Sequence, residues 1–84
     1  MNQELPIKID LSFPISVFGE EVRELNIKRR PTTKDLKVMD SEKGEVSKTA
    51  ALISRLCDVP PGSVDQLDAS DFSKAAEVVS GFLG

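Results

Sequence analysis

From Ile7 to Val17 the chain alternates strictly between apolar and polar positions. Ile7, Ile9, Leu11, Phe13, Ile15 and Val17 take the odd positions; Lys8, Asp10, Ser12, Pro14 and Ser16 take the even ones. A period of two sends one set toward a core and the other toward water, so the segment predicts a half-buried strand. Pro14 has no N–H for a ladder, which puts the strand on an edge or bends it there. Phe18-Gly19-Glu20-Glu21 supplies a turn, with Gly19 free to take positive φ. A second, weaker strand runs from Val22 to Lys28. Leu25 and Ile27 share one face of it while Val22 is out of phase, which points to a bulge near Val22. Residues of about 6–28 thus predict an antiparallel hairpin.

The period then lengthens. Lys28-Arg29-Arg30-Pro31 ends the strand, because Pro31 stops the ladder and holds Arg30 extended. Thr32 is placed to cap a helix of about 32–40, with Asp35 as the acidic half of a capping box and Leu36 and Met39 on one face. Ser41 to Gly44 interrupts the pattern. Over about 45–58, Val46, Ala50, Ile53 and Cys57 recur at helical spacing, and Leu52 and Leu56 widen the stripe. Val59-Pro60-Pro61-Gly62 breaks it, and Ser63 to Leu67 predicts a single turn. Asp68 is the expected N-cap of a last helix, about 68–82, with Asp71 at its N3 position. Phe72, Ala75, Ala76, Val79 and Leu83 make its apolar face. Gly81 stands where a left-handed terminal residue is expected, and Phe82 where a side chain could fold back over the final turn. The order predicts an α+β protein: a small single domain spanning 1–84, with an N-terminal antiparallel β-hairpin followed by about three α-helices. A two-stranded hairpin is marginal alone in water, so it must lie on those helices or on a partner.

Composition removes most chemistry. An 84-residue chain has room for one core. With no His and one Cys there is no imidazole base, no His-containing zinc site and no internal disulfide. Cys57 falls on an apolar stripe with nothing to activate it, so it reads as a small core residue. Asp65, Asp68 and Asp71 are spaced by three, but two of them fall at a helix start, where capping explains them. Catalytic, metal and cofactor-binding residues are therefore all read as none. A net charge of −3, and aromatics that are all Phe, argue against nucleic acid. No apolar run is long enough for a membrane span or a signal-peptide core, and a lone thiol fits a reducing cytoplasm. The local basic cluster Lys28, Arg29, Arg30, Lys34 and Lys37 keeps one alternative open: a small nucleic-acid-binding or regulatory adaptor module using residues 28–37. Asp40-Ser41 departs from the Asp-Ser-Leu site of acyl carrier proteins, since Glu42 follows and the chain opens with a strand.

Several segments in order carry a resemblance. These are Phe13-Pro14-Ile15, Arg29-Arg30-Pro31-Thr32 with Asp35-Leu36, Leu52-Ile53 with Leu56, and Leu67-Asp68-Ala69-Ser70-Asp71-Phe72. Together they resemble the tail assembly chaperones of contractile-tailed, Mu-like phages over nearly the whole chain. The resemblance implies a protein without catalysis. Its partner would be the tail tape measure protein, kept soluble in the cytoplasm of the bacterial host while tube subunits are recruited around it. The tail tube protein and a frameshifted longer form of the chain are further implied partners, and no place in the mature virion is expected. A flat hairpin edge could also pair with a second copy to make a homo-oligomer. The residues shared with the family, Arg30, Pro31, Thr32, Asp35, Leu36, Leu67, Asp68, Asp71 and Phe72, read mainly as architecture. Partner contact is expected from the hairpin edge, at Phe13, Ile15, Val17 and Phe18, and from the end of the last helix, at Val79, Phe82 and Leu83.

Overall fold

The computed structural model describes residues 5–83; residues 1–4 and 84 of the expected 1–84 domain lie outside the described residues. Strand β1 (Ile7–Val17) and strand β2 (Glu20–Ile27) form a two-stranded antiparallel sheet. Four helical segments follow: α1 (Thr33–Asp40), α2 (Glu45–Cys57), the single turn α3 (Pro61–Val64) and α4 (Ala69–Leu83). The molecule is a small α+β domain, as the order of patterns predicts.

The hairpin turn is tighter than the four residues expected. Phe18 and Gly19 alone connect the strands, at φ 51° and 82°, so that Val17 faces Glu20. Two positive φ values in a two-residue loop make the type I′ pattern, whose hand matches the twist of the strands. The bulge is confirmed but involves mostly β1. Asp10 pairs with Glu24 and Ile15 with Val22, so four residues of β1 stand against Arg23 alone on β2. This offset brings Val22 opposite Ile15 although it is out of phase with Leu25. It also breaks the alternation on β1. Ile9, Leu11 and Ile15 are buried, but Phe13 between them is 56% exposed.

One core closes the hairpin onto the helices. Ile9, Leu11, Ile15, Leu25 and Ile27 from the sheet meet Leu52, Ile53, Leu56 and Cys57 of α2, Val64 of α3, and Ala75 and Val79 of α4. β2 lies on α2, β1 on α3 and α4, and α1 packs chiefly against α2. Two helix expectations need correction. Val46 was expected in the α2 stripe, yet it is 69% exposed, because the core faces the Leu52–Leu56 side and ends before the first turn of α2. Gly81 was expected to end α4 in the left-handed region, yet the helix continues through Leu83. At the end of α2 it is Asp58 that takes left-handed geometry, φ 57°, and Val59 N–H closes the last turn on the Ser54 carbonyl at 3.1 Å. The next residue after β2 joins the same end: Lys28 N–H donates to the Leu56 carbonyl, 3.0 Å. An otherwise orphaned helix carbonyl is thereby satisfied by the outgoing strand.

Candidate functional site

The two carboxylates expected at the N3 position of a helix, Asp35 and Asp71, are completely buried, and they do different work. Asp35 is the N3 residue of α1. Its Oδ2 accepts from Thr32 N–H at 2.7 Å and from the Thr32 hydroxyl at 3.2 Å, which is the acidic half of the expected capping box. The carboxylate also takes a two-pronged bond from Arg29, Nη1 to Oδ2 at 2.7 Å and Nη2 to Oδ1 at 3.0 Å, and a third guanidinium bond from Arg55 Nε at 2.7 Å. Hydrogen bonding by Arg29, then Arg55 and the Thr32 amide, outweighs burial and holds Asp35 far below the usual carboxylate range. Asp35 thus ties the segment leaving β2, the start of α1 and the last turn of α2 to one point.

Asp71 is the N3 residue of α4, but it does not cap that helix. Asp68 does, its Oδ2 accepting from Ser70 N–H at 3.0 Å. Asp71 crosses to the bulge of β1. There Oδ1 accepts from Ser12 N–H and Oδ2 from Phe13 N–H, each at 3.0 Å. These are N–H groups that the bulge removes from the ladder, and a buried N–H without a partner is costly. The bonds from Ser12 and Phe13, with Lys74 Nζ at 3.0 Å, hold Asp71 below its ordinary pKa against the opposing effect of burial.

Other side chains continue along the same edge of β1. Lys74 Nζ donates to the Asp10 carbonyl at 2.8 Å, Ser16 N–H donates to Gln66 Oε1 at 2.9 Å, and the Ser63 hydroxyl donates to the Ser16 carbonyl at 3.0 Å. The outer edge of β1, expected as a place for strand addition, therefore already has partners at residues 10, 12, 13 and 16. The outer side of β2 carries Glu20, Glu21, Arg23 and Glu24, all exposed, and such charges discourage a flat edge from pairing.

The residues expected at a partner interface divide into two groups. Phe18 at the hairpin tip is 85% exposed, Phe13 on the bulge 56% and Leu83 at the end of α4 47%. Ile15 and Val79 are core residues instead, in the one cluster that the sheet forms with α2, α3 and α4. Val17 is half-buried. Phe82 is half-buried too and does not lie free, since the Arg30 guanidinium sits 5.1 Å from its ring centre. Among the family-motif positions, Pro31, Leu67 and Phe72 are half-buried and Leu36 is largely exposed. Arg29 was expected only as part of the basic cluster and motif, and Arg55, Lys74, Gln66 and Ser63 were not among the expected site residues. Only Lys74 left a sequence signal, three residues after Asp71 on one helix face.

The basic segment is largely engaged inside the molecule. Arg29 binds Asp35, Arg30 stacks on Phe82, and Lys28 stands 3.9 Å from Asp58. Lys34 and Lys37 are exposed and make no salt bridge among the described residues. Burial pushes the Cys57 thiol up to about 11, as for a small core residue. Among the described residues no cluster of acidic or Cys side chains is placed to hold a metal, and no helix is long and apolar enough to cross a membrane.

What these residues build is a small α+β domain whose buried charges join its own elements and which, among the described residues, leaves Phe13, Phe18, Leu36, Val46 and Leu83 exposed on an otherwise charged surface. The chain belongs to the phage tail assembly chaperones: the family model described as "Phage tail assembly chaperone proteins, E, or 41 or 14" matches residues 8–84. No curated protein and no solved structure matches the chain.

Proposed function

We propose that the chain is the chaperone of a tail tape measure protein. It covers apolar segments of that long chain in the cytoplasm of the bacterial host, then yields them to assembling tube subunits, with no chemical step of its own. The observation that supports this reading, in a member of a tail assembly family, is Phe18. It is an 85% exposed aromatic held at φ 51° in a turn position that favours Asn, Asp or Gly. Left-handed geometry costs a bulky L-residue about 1 kcal/mol, and the exposed ring buries little in return. A side chain that is unfavourable on both counts in the isolated protein fits a role in contact with another chain. Phe13 and Leu83 are further exposed apolar side chains.

Co-expression tests the proposal. The wild-type chain is expected to raise the soluble yield of the tape measure protein and to co-purify with it. Phe18→Asn creates an Asn-Gly turn and should stabilise the chaperone by about 1 kcal/mol, while recovering less tape measure protein. If the wild type recovers none, the partner is wrong. If the wild type and Phe18→Asn recover equal amounts, the partner stands and the contact residue is wrong.

A further inference from the structure

We infer that the trough between α2, α3 and the start of α4 is a second binding site, and that its occupant is an amphipathic helix with Lys or Arg beside its apolar face. The apolar stripe of α2 outruns the protein's own core. Val46, Ala50, Ile53 and Cys57 share a side by helical spacing, yet Val46 is 69% exposed and Ala50 only half-buried. Facing them are Leu67 and Phe72, also half-buried, with Val64 beneath. These residues line a groove of about 470 Å³. At Ala50 and Asp65, which belong to both, it runs into a hollow of about 540 Å³ between α1, α2 and α3.

The shape and charge of this trough select the guest. Two hollows that adjoin at Ala50 and Asp65 suit a guest longer than either one. Ser47, Ala50, Ala51 and Ser54 line the second hollow with small side chains, which let a helix axis approach closely. The walls are helices, so an extended segment would find no sheet edge for its backbone, whereas a helix satisfies its own hydrogen bonds. The wall carries two carboxylates, Glu42 and Asp65, and neither has an ion-pair partner among the described residues. Its one cation, Arg55, already bonds buried Asp35 through Nε. An apolar floor with an acidic margin complements an apolar helix face flanked by cations. The site stands independently of the tape measure reading, because model peptides test it without any tail protein.

The experiment uses the full chain and two fluorescein-labelled model helices with the same leucine face, one flanked by Lys and one by Glu. The Lys helix should bind saturably and roughly tenfold more tightly than the Glu helix at low salt. Amide shifts on titration should centre on Val46, Ala50, Asp65 and Phe72. Asp65→Lys should remove most of the preference, and Val46→Asp should weaken the Lys helix several-fold; both positions are exposed, so thermal melting should be unchanged. No saturable binding by the Lys helix, affinity indifferent to both substitutions, or shifts centred on the hairpin would each overturn the site. Self-association of the free chain that Val46→Asp abolishes would also overturn it, by assigning the trough to a second copy. Peptide binding here together with failure to recover the tape measure protein would leave this site standing and remove the tape measure reading.

Discussion

Asp35 and Asp71 occupy the same position, N3 of a helix, with the same residue type, and both are completely buried. Their surroundings make them different devices. Around Asp35 the carboxylate completes its own helix start and gathers two arginines from other elements. Around Asp71 the helix start is left to Asp68, and the carboxylate serves a strand. The difference lies in what packs alongside. α1 sits against α2, where Arg55 can reach it, while α4 sits against β1 where the bulge has freed two amides. The comparison teaches that an acidic residue near a helix start is a local signal with two tertiary uses. It also bears on function. Asp71 and its neighbours already bond the β1 edge at residues 10, 12, 13 and 16, which leaves that edge no free run of backbone for strand addition.

The largest effect should come from Asp35→Ala. It leaves two guanidinium groups facing a vacated site and removes the junction of three elements, so stability should fall by about 3 kcal/mol, seen as a drop in melting temperature of roughly 15 °C. A loss below about 1 kcal/mol would mean that the arginines simply turn to water.

Next in size is the acid limb of stability. Both carboxylates titrate below the ordinary Asp value in the folded protein, so each contributes stability that is present above a pH of about 4 and lost as pH falls below it. Urea unfolding should be nearly flat from neutral pH down to that point. Below it the slope should correspond to uptake of about two protons on unfolding, and in Asp71→Asn to about one. An unchanged slope in that variant would show that Asp71 is not shifted.

Asp71→Asn should also separate the two regions by location. Amide hydrogen exchange should quicken at Ser12 and Phe13 while Thr32 keeps its protection, since Asn offers one acceptor where the bulge presents two donors. Loss of protection at both places would mean the regions unfold as one unit. The smallest change is expected from Lys74→Met. Lys74 is 46% exposed, its ion pair is screened, and the long stem keeps its packing, so a loss of about 0.5 kcal/mol is expected. A much larger loss would make the Asp10 carbonyl contact, rather than the ion pair, the main role of Lys74.

Local pattern made much of the molecule legible in advance. The alternation from Ile7 to Val17 located β1, Thr32 with Asp35 located the start of α1, and Asp68 located the start of α4. The ordered Arg-Pro-Thr and Leu-Asp-x-x-Asp-Phe segments carried the family, which the match over residues 8–84 bears out. Errors arose where a periodic pattern was extended past the neighbour that made it useful. Val46 continues a helical stripe but has no element above it, and Phe13 continues an alternation that the bulge interrupts. Ile15 and Val79, expected at a partner interface, lie in the core, where the single turn α3 and the length of α4 help to cover the sheet.

By itself, the sequence determined the order of elements, the caps at their starts, the unreactive setting of its one thiol and the family to which the chain belongs. Periods, caps and turns act between residues a few positions apart, so they can be read along the chain. Only the tertiary structure decided what the buried charges hold. Asp71 meets Ser12 across 59 positions and Arg55 meets Asp35 across 20. Which backbone groups need a partner is known only once strands have paired and a bulge has formed. Which side chain can supply one is known only once a helix has packed beside them.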